Sequence, residues 1–179
     1  MTGRESLRGF IESSLRQTAH AALPLVGAAH AEPERFPVWD ELGEAWLSNH
    51  VANRASRLQG RAFWTAAARG FAFTEEAAPS PGHLAPVMGL VAARLGIGRM
   101  DAARLHTFHH LRGLVSAAVR LGVVGPLEGQ RIQHGCASLA ESVAACGISR
   151  DPDQLAQTAP LLDIWQGAQD RLYSRLFQS

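Results

Sequence analysis

The stretch Leu105 to Gln130, LHTFHHLRGLVSAAVRLGVVGPLEGQ, decides how this chain is read. Its middle, Gly113 to Val119, carries no charge, and apolar or small side chains point in every direction around a helix. A helix that is apolar on all sides is expected to be buried on all sides, so residues of about 101–121 are expected to form a central spine. The spine is expected to stop at Gly122–Pro126, where two glycines and a proline make a turn. Asp101 is placed to cap its start. Beyond the turn, Ile132, Cys136, Leu139, Val143 and Cys146 repeat at spacings of four and three. That pattern predicts one helix with a narrow apolar seam, stopped at Gly147.

Working outward, the same 3.6-residue period recurs and no alternating strand pattern does. Thr2-Gly3-Arg4-Glu5 has capping-box spacing. Leu7, Phe10, Ile11, Leu15 and Ala19 then predict an amphipathic first helix ending near Pro24. Residues 31–37 read as a polar loop. From Asp40 to Ala62 the pattern predicts one long helix or two joined near Asn49, with Asn53, Arg54, Arg57 and Arg61 on a polar face. Residues 75–82, EEAAPSPG, form the clearest loop. Pro86 suits the first turn of a helix that Gly96 and Gly98 end. Asp151-Pro152-Asp153-Gln154 reads as another helix start, and Pro160 opens the last helix. Leu161, Trp165, Ala168, Leu172 and Leu176 fall on one of its faces. The expected architecture is all-α: a single domain over 1–179, with about seven to nine helices around the spine.

Composition narrows the function classes. The chain has 179 residues, 46% hydrophobic and 18% charged, with a formal charge of +1. Its 17 basic residues are all arginine. No sequence-wide field attracts nucleic acid or an anionic membrane, and the arginines are not interleaved with aromatics for base stacking. No segment has the length of a membrane span and the N-terminus does not read as a signal peptide, so a cytoplasmic location is expected. Two cysteines make no disulfide framework. On a single helix Cys136 and Cys146 would stand roughly 15 Å apart, against the limit of about 7 Å for a disulfide.

Motifs with chemistry are few. His106, His109 and His110 stand at i, i+3 and i+4, which puts His106 and His110 one turn apart on one face. Imidazoles so spaced are candidate ligands for zinc or nickel. The competing reading, and the preferred one, is a helix end with packed and surface histidines, since no carboxylate or cysteine partner lies nearby in sequence. There is no phosphate loop, no Cys-x-x-Cys, no nucleophile elbow and no His-Glu-x-x-His. No catalytic residue, bound cofactor or firm metal site emerges.

Four stretches carry a resemblance. They are Asn53-Arg54-Ala55-Ser56-Arg57-Leu58-Gln59-Gly60-Arg61, then His83-Leu84-Ala85-Pro86-Val87-Met88-Gly89, then the spine and turn from Val115 to Arg131, and finally Tyr173-Ser174-Arg175-Leu176-Phe177-Gln178-Ser179. In this order and spacing the chain resembles the UreF family of urease accessory proteins. The resemblance implies a helical, homodimer-forming chaperone and not an enzyme. It implies a UreD/UreH-type partner, a UreG-type GTPase and apo-urease as the proteins it works with. Nickel and GTP would be handled by the complex, with no cofactor held by this chain. Tyr173, Arg175, Leu176 and Phe177 are the expected partner contacts, with Arg120 and Gln130 beside the turn; for Arg120 a cap on its own helix competes. Against the family pattern, the Pro-x-Gly-Gly opening and the Ser-x-Gly-x-Glu helix are not found. Pro126-Leu127 follows Gly125 in place of Gln-Thr or Gln-Ser, and Gln169-Asp170 replaces His-Glu. Two other readings stay open: a helical metal-binding protein using His106, His109 and His110, and a generic helical adaptor.

Overall fold

A computed structural model describes residues 3–73 and 78–171. The described residues form nine α-helices and no strand: α1 Gly3–Thr18, α2 Ala22–Ala31, α3 Phe36–Trp46, α4 His50–Gly70, α5 Leu84–Arg94, α6 Arg99–Arg120, α7 Pro126–Gly135, α8 Ala137–Ile148 and α9 Pro160–Gly167. Short 3-10 turns precede α3, follow α8 and follow α9.

The most enclosed elements are α2 and α5. Every residue from Ala85 to Ala92 of α5 is buried, and so is every residue from Leu23 to Ala29 of α2. They pack together because Gly89 lets the backbone of α5 approach Val26 O and Ala29 of α2. On the other side of α2, Gly27 admits Ile148 O of α8. This pair divides the core. Ile11, Leu15, Leu23, Val26, Ala103, Val115 and Val143 join α1, α2, α6 and α8 on one side. Phe36, Trp39, Trp64, Val87 and Leu90 join α3, α4 and α5 on the other.

The central stretch is corrected by this arrangement. Helix α6 buries Ala102, Ala103, His106, Thr107, Leu111, Val115 and Ala118, a single face. Gly113 and Ser116, in its uncharged middle, face outward, and Phe108 is 45% exposed. Absence of charge marks a surface that tolerates burial, and small residues tolerate water equally well. Asp101 lies in the first turn of α6 and not at its cap, which is Gly98.

Further corrections follow from proline and local capping. Pro24 does not end the first helix, which stops at Thr18; it sits in the first turn of α2, where its missing N–H costs nothing. The stretch 31–37 holds a 3-10 turn and the start of α3, with Pro37 again in a first turn. The predicted seam helix is two helices broken at Cys136. Cys136 is buried, Cys146 faces out, and both are free. Helix α8 runs on through Gly147 to Ile148. Asp151 does cap, accepting from Asp153 N, but only a three-residue 3-10 turn follows. Of the two readings of 40–62, the one with two helices joined near Asn49 holds: the Asn49 side chain accepts from Val51 N and Ala52 N and starts α4.

Candidate functional site

Two of the four resembling stretches meet in space. The carboxylate of Asp40, on α3 and 1% exposed, accepts from Gly82 N and His83 N at 2.7 Å each. His83 is equally buried, and its ring bridges two elements. Nε2 stands 2.8 Å from Glu44 Oε2, and Nδ1 stands 3.1 Å from Ser56 Oγ. Ser56 Oγ also accepts from Leu84 N. Arg61 donates Nε–H to Pro81 O, and Gly60 leaves room for Gly82 O against α4. Ser56, Gly60 and Arg61 of one motif thus hold the histidine segment of the other. Pro86 falls in the first turn of α5, and Gly89 falls at the crossing with α2. The spacing His83, Pro86, Gly89 is therefore cap region, first turn and crossing point of one helix.

The hydrogen bond from His83 holds the Glu44 carboxyl below its ordinary range, opposed by partial desolvation. Arg57 adds to this from 3.7 Å. Sequence reasoning reached His83 and Ser56 as motif members and missed Asp40 and Glu44. A lone aspartate in an amphipathic helix carries no local sign that it reaches a loop some forty residues on.

The histidines of α6 separate by environment. His106 is buried, and its Nδ1 stands 3.4 Å from Met88 Sδ, which accepts. His110 Nε2 stands 2.8 Å from Ser14 Oγ, and His109 is exposed. The predicted shared face is real, since His106 and His110 line the same cavity of about 390 Å³ together with His83, Ser14 and Ser56. Among the described residues no group of three or more His, Cys, Asp or Glu could hold a metal ion.

Burial pushes His106 down to about 3, helped by the neighbouring His110 and His109, and burial pushes His110 down to about 4. Unfolded, each imidazole titrates near 6.5. Below that value the unfolded chain takes up protons that the folded chain refuses. Stability is therefore full above about pH 6.5 and falls as pH drops toward 4. His106 contributes most, being the more enclosed of the two. Thermal midpoints measured from pH 8 to pH 4.5 should decline across this window. His106→Leu should flatten the decline; an unchanged slope would deny the histidine its part.

Among the turn residues, Arg120 is exposed in the last turn of α6, engaged within the protein, and Gln130 is exposed on α7. Only Val124 of that turn points inward, while Leu121, Val123 and Leu127 stand 52%, 52% and 77% exposed. Tyr173, Arg175, Leu176 and Phe177 lie outside the described residues. Leading to them, α9 buries nothing: Leu161, Ile164 and Trp165 are each at least 60% exposed. Over the described residues the apolar face of this helix is a surface. It edges an open groove of about 850 Å³ against α1, lined by Phe10, Ser13, Arg16 and Trp165 among others.

No helix among the described residues is long and apolar enough to cross a membrane. Asp40, His83 and His106 spend their polar groups on joining elements of the fold, while the described surface is apolar at α9 and arginine-rich on α4. Comparison with known proteins gives the family. The family model for UreF matches residues 1–137. "Urease accessory protein F" of Arabidopsis thaliana is 35% identical, over 98% of this chain and 78% of its own length. The protein of the same name from Oryza sativa subsp. japonica is 33% identical, over 97% of this chain and 71% of its own. "Urease accessory protein UreF" of Mesorhizobium japonicum is 32% identical over 77% of this chain and 62% of its own. With a family match over most of its length and relatives of this kind, the chain belongs to the UreF family of urease accessory proteins.

Proposed function

We propose that this chain acts in urease maturation as a non-catalytic scaffold. With a UreD/UreH-type partner it recruits a UreG-type GTPase and assists GTP-dependent insertion of nickel into apo-urease. In this reading it works in the cytoplasm as a homodimer within the complex, and nickel and GTP are cargo and fuel of the assembly. Family membership supports the role in urease maturation. The observation that carries the finer reading is the exposed apolar run of α9, Leu161, Ile164 and Trp165, directly ahead of the Tyr173–Ser179 tail. Aromatic and arginine side chains dominate protein interfaces, and this end of the chain supplies Trp165, Tyr173, Arg175 and Phe177.

Deleting Tyr173 to Ser179 is expected to leave a folded helical protein that no longer co-purifies with the UreD-type partner. Circular dichroism reports the first and affinity capture the second. Retained capture would overturn the assignment of the tail. The three α6 histidines are not needed for this reading, and replacing His109 by alanine should leave complex formation unchanged.

A further inference from the structure

The amide side chains of Gln17 and Asn49 tie the chain beyond α8 to the body of the fold. Leu155 still packs against the core cluster of α1, α2, α6 and α8. From there the segment 156–167 crosses the end of α1 and the start of α4, and among residues 149–169 none is buried. Gln17 of α1 holds its first part. Gln17 Nε2 donates to Ala156 O at 3.0 Å, and Gln17 Oε1 accepts from Thr158 N and Thr158 Oγ1 at 2.6 Å each. Ala156 N adds a bond to His20 O at 2.9 Å. Asn49 holds α9. Its Nδ2 donates to Asp163 O at 2.8 Å and to Asp163 Oδ1 at 3.0 Å, while its Oδ1 caps α4.

Beneath this segment lies the cavity of about 390 Å³ that His83, His106 and His110 line. Gln157, Ala159, Leu162, Asp163 and Gln166 wall it on the side of the segment. Ala159 and Leu162 also line the open groove against α1, so a single thickness of chain separates the cavity from that groove. A cover without a buried side chain has little apolar contact to lose on lifting. Hydrogen bonds exchanged for bonds to water contribute little net each, so such a segment opens more readily than the body beneath it. Helices α2 and α5, buried along most of their length, are the opposite case.

We infer that residues 156–167 form a lid over the histidine-lined cavity, latched by Gln17 at one end and Asn49 at the other. Lifting the lid joins the cavity to solvent without unfolding the core. The latch at Asn49 is separable from the cap it provides. Aspartate caps a helix as well as asparagine does, so Asn49→Asp keeps α4 capped. An ionised carboxylate only accepts, so the variant sets a second oxygen against Asp163 O and Oδ1 in place of the donor. Hydrogen exchange of the full chain, read by mass spectrometry, should show the amides of 156–167 exchanging at least tenfold faster in Asn49→Asp. Amides of Leu84–Arg94 in α5 should keep their rates. Gln17→Ala, which removes the other latch, should act in the same direction. Access is read with iodoacetamide, a small uncharged alkylating agent, on a thiol placed in the cavity wall by Ala55→Cys. Cys146→Ser removes the exposed thiol that would compete, and Cys136 is buried. Alkylation at position 55 should rise with the exchange of 156–167 in both latch variants. Unchanged exchange in both variants would overturn the latch, and faster exchange with unchanged alkylation would overturn the lid. A rise shared by α5 would mean a general loosening and would overturn it too. Should Asn49→Asp fail to fold, Gln17→Ala decides by the same two readings. The lid acts without a partner protein, so none of these outcomes bears on the scaffold reading.

Discussion

Replacing Asp40 by alanine is expected to lower the unfolding free energy by about 3 kcal/mol, a fall of roughly 6–12 °C in the thermal midpoint of a chain this long. The reason lies in what the carboxylate leaves behind. Gly82 N and His83 N each donate to it at 2.7 Å, in a place closed to water. Without the acceptor two backbone N–H groups are stranded, and a buried donor without a partner costs about 1–3 kcal/mol. The loss does not stop there. His83 is held against Glu44 and Ser56 by the same loop, so loosening the loop loosens the start of α5. Asp40→Asn should fall between the two, because its amide returns one acceptor and sets an N–H against the other donor. Urea denaturation of the three proteins would order them; a loss below about 1 kcal/mol for the alanine variant would show that water takes over the bonds.

Gly89→Ala is expected to cost about 3 kcal/mol, against the usual direction of that substitution. In the interior of a helix alanine is favoured over glycine by about 1 kcal/mol. Here the added methyl group would run into Val26 O and meet Ala29 Cβ and His30 N at 3.1 Å each. Two of these are backbone atoms, so the helices themselves must move apart, and both belong to the most enclosed pair in the fold. Gly113→Ala provides the contrast. That glycine is exposed in the middle of α6, and a Cβ there meets nothing within 4 Å. It should stabilise the protein by roughly 0.5–1 kcal/mol. Opposite signs for the two variants, measured by the same denaturation, would establish the crossing; equal signs would deny it.

These two residues also show how far sequence reasoning reached. The helical class, the joint at Asn49 and the place of Pro86 were legible because they depend on period and capping, which are local. The identity of the innermost helices was not. LPLVGAAHA is short, starts beside a proline and has no polar face to give it a period, so the first helix was expected to run to Pro24 and no separate helix was expected after it. The middle of α6 looked more buried than it is, because glycine, serine and alanine carry no preference strong enough to reveal a face. The break at Cys136 was hidden for a related reason: the seam continues through it, from Ile132 across to Leu139 and Val143.

At the candidate site, His83, Ser56 and Gly60 could be singled out as members of motifs, but not why they belong together. Their link is Asp40, and it is made only by folding α3 onto the loop before α5. The histidine trio illustrates the opposite limit. Its spacing predicted a shared face correctly for His106 and His110, yet spacing says nothing of Met88 and Ser14, which occupy the two rings.

The bare outer face of α9 has an optical consequence. Of the four tryptophans, Trp39 and Trp64 are 7% and 2% exposed and Trp46 is half-buried, whereas Trp165 is 60% exposed. The red edge of the intrinsic emission therefore belongs chiefly to one indole, and that indole stands on the helix leading into the tail. The protein carries its own dye at the surface where a partner is expected, with the interior indoles as an internal reference.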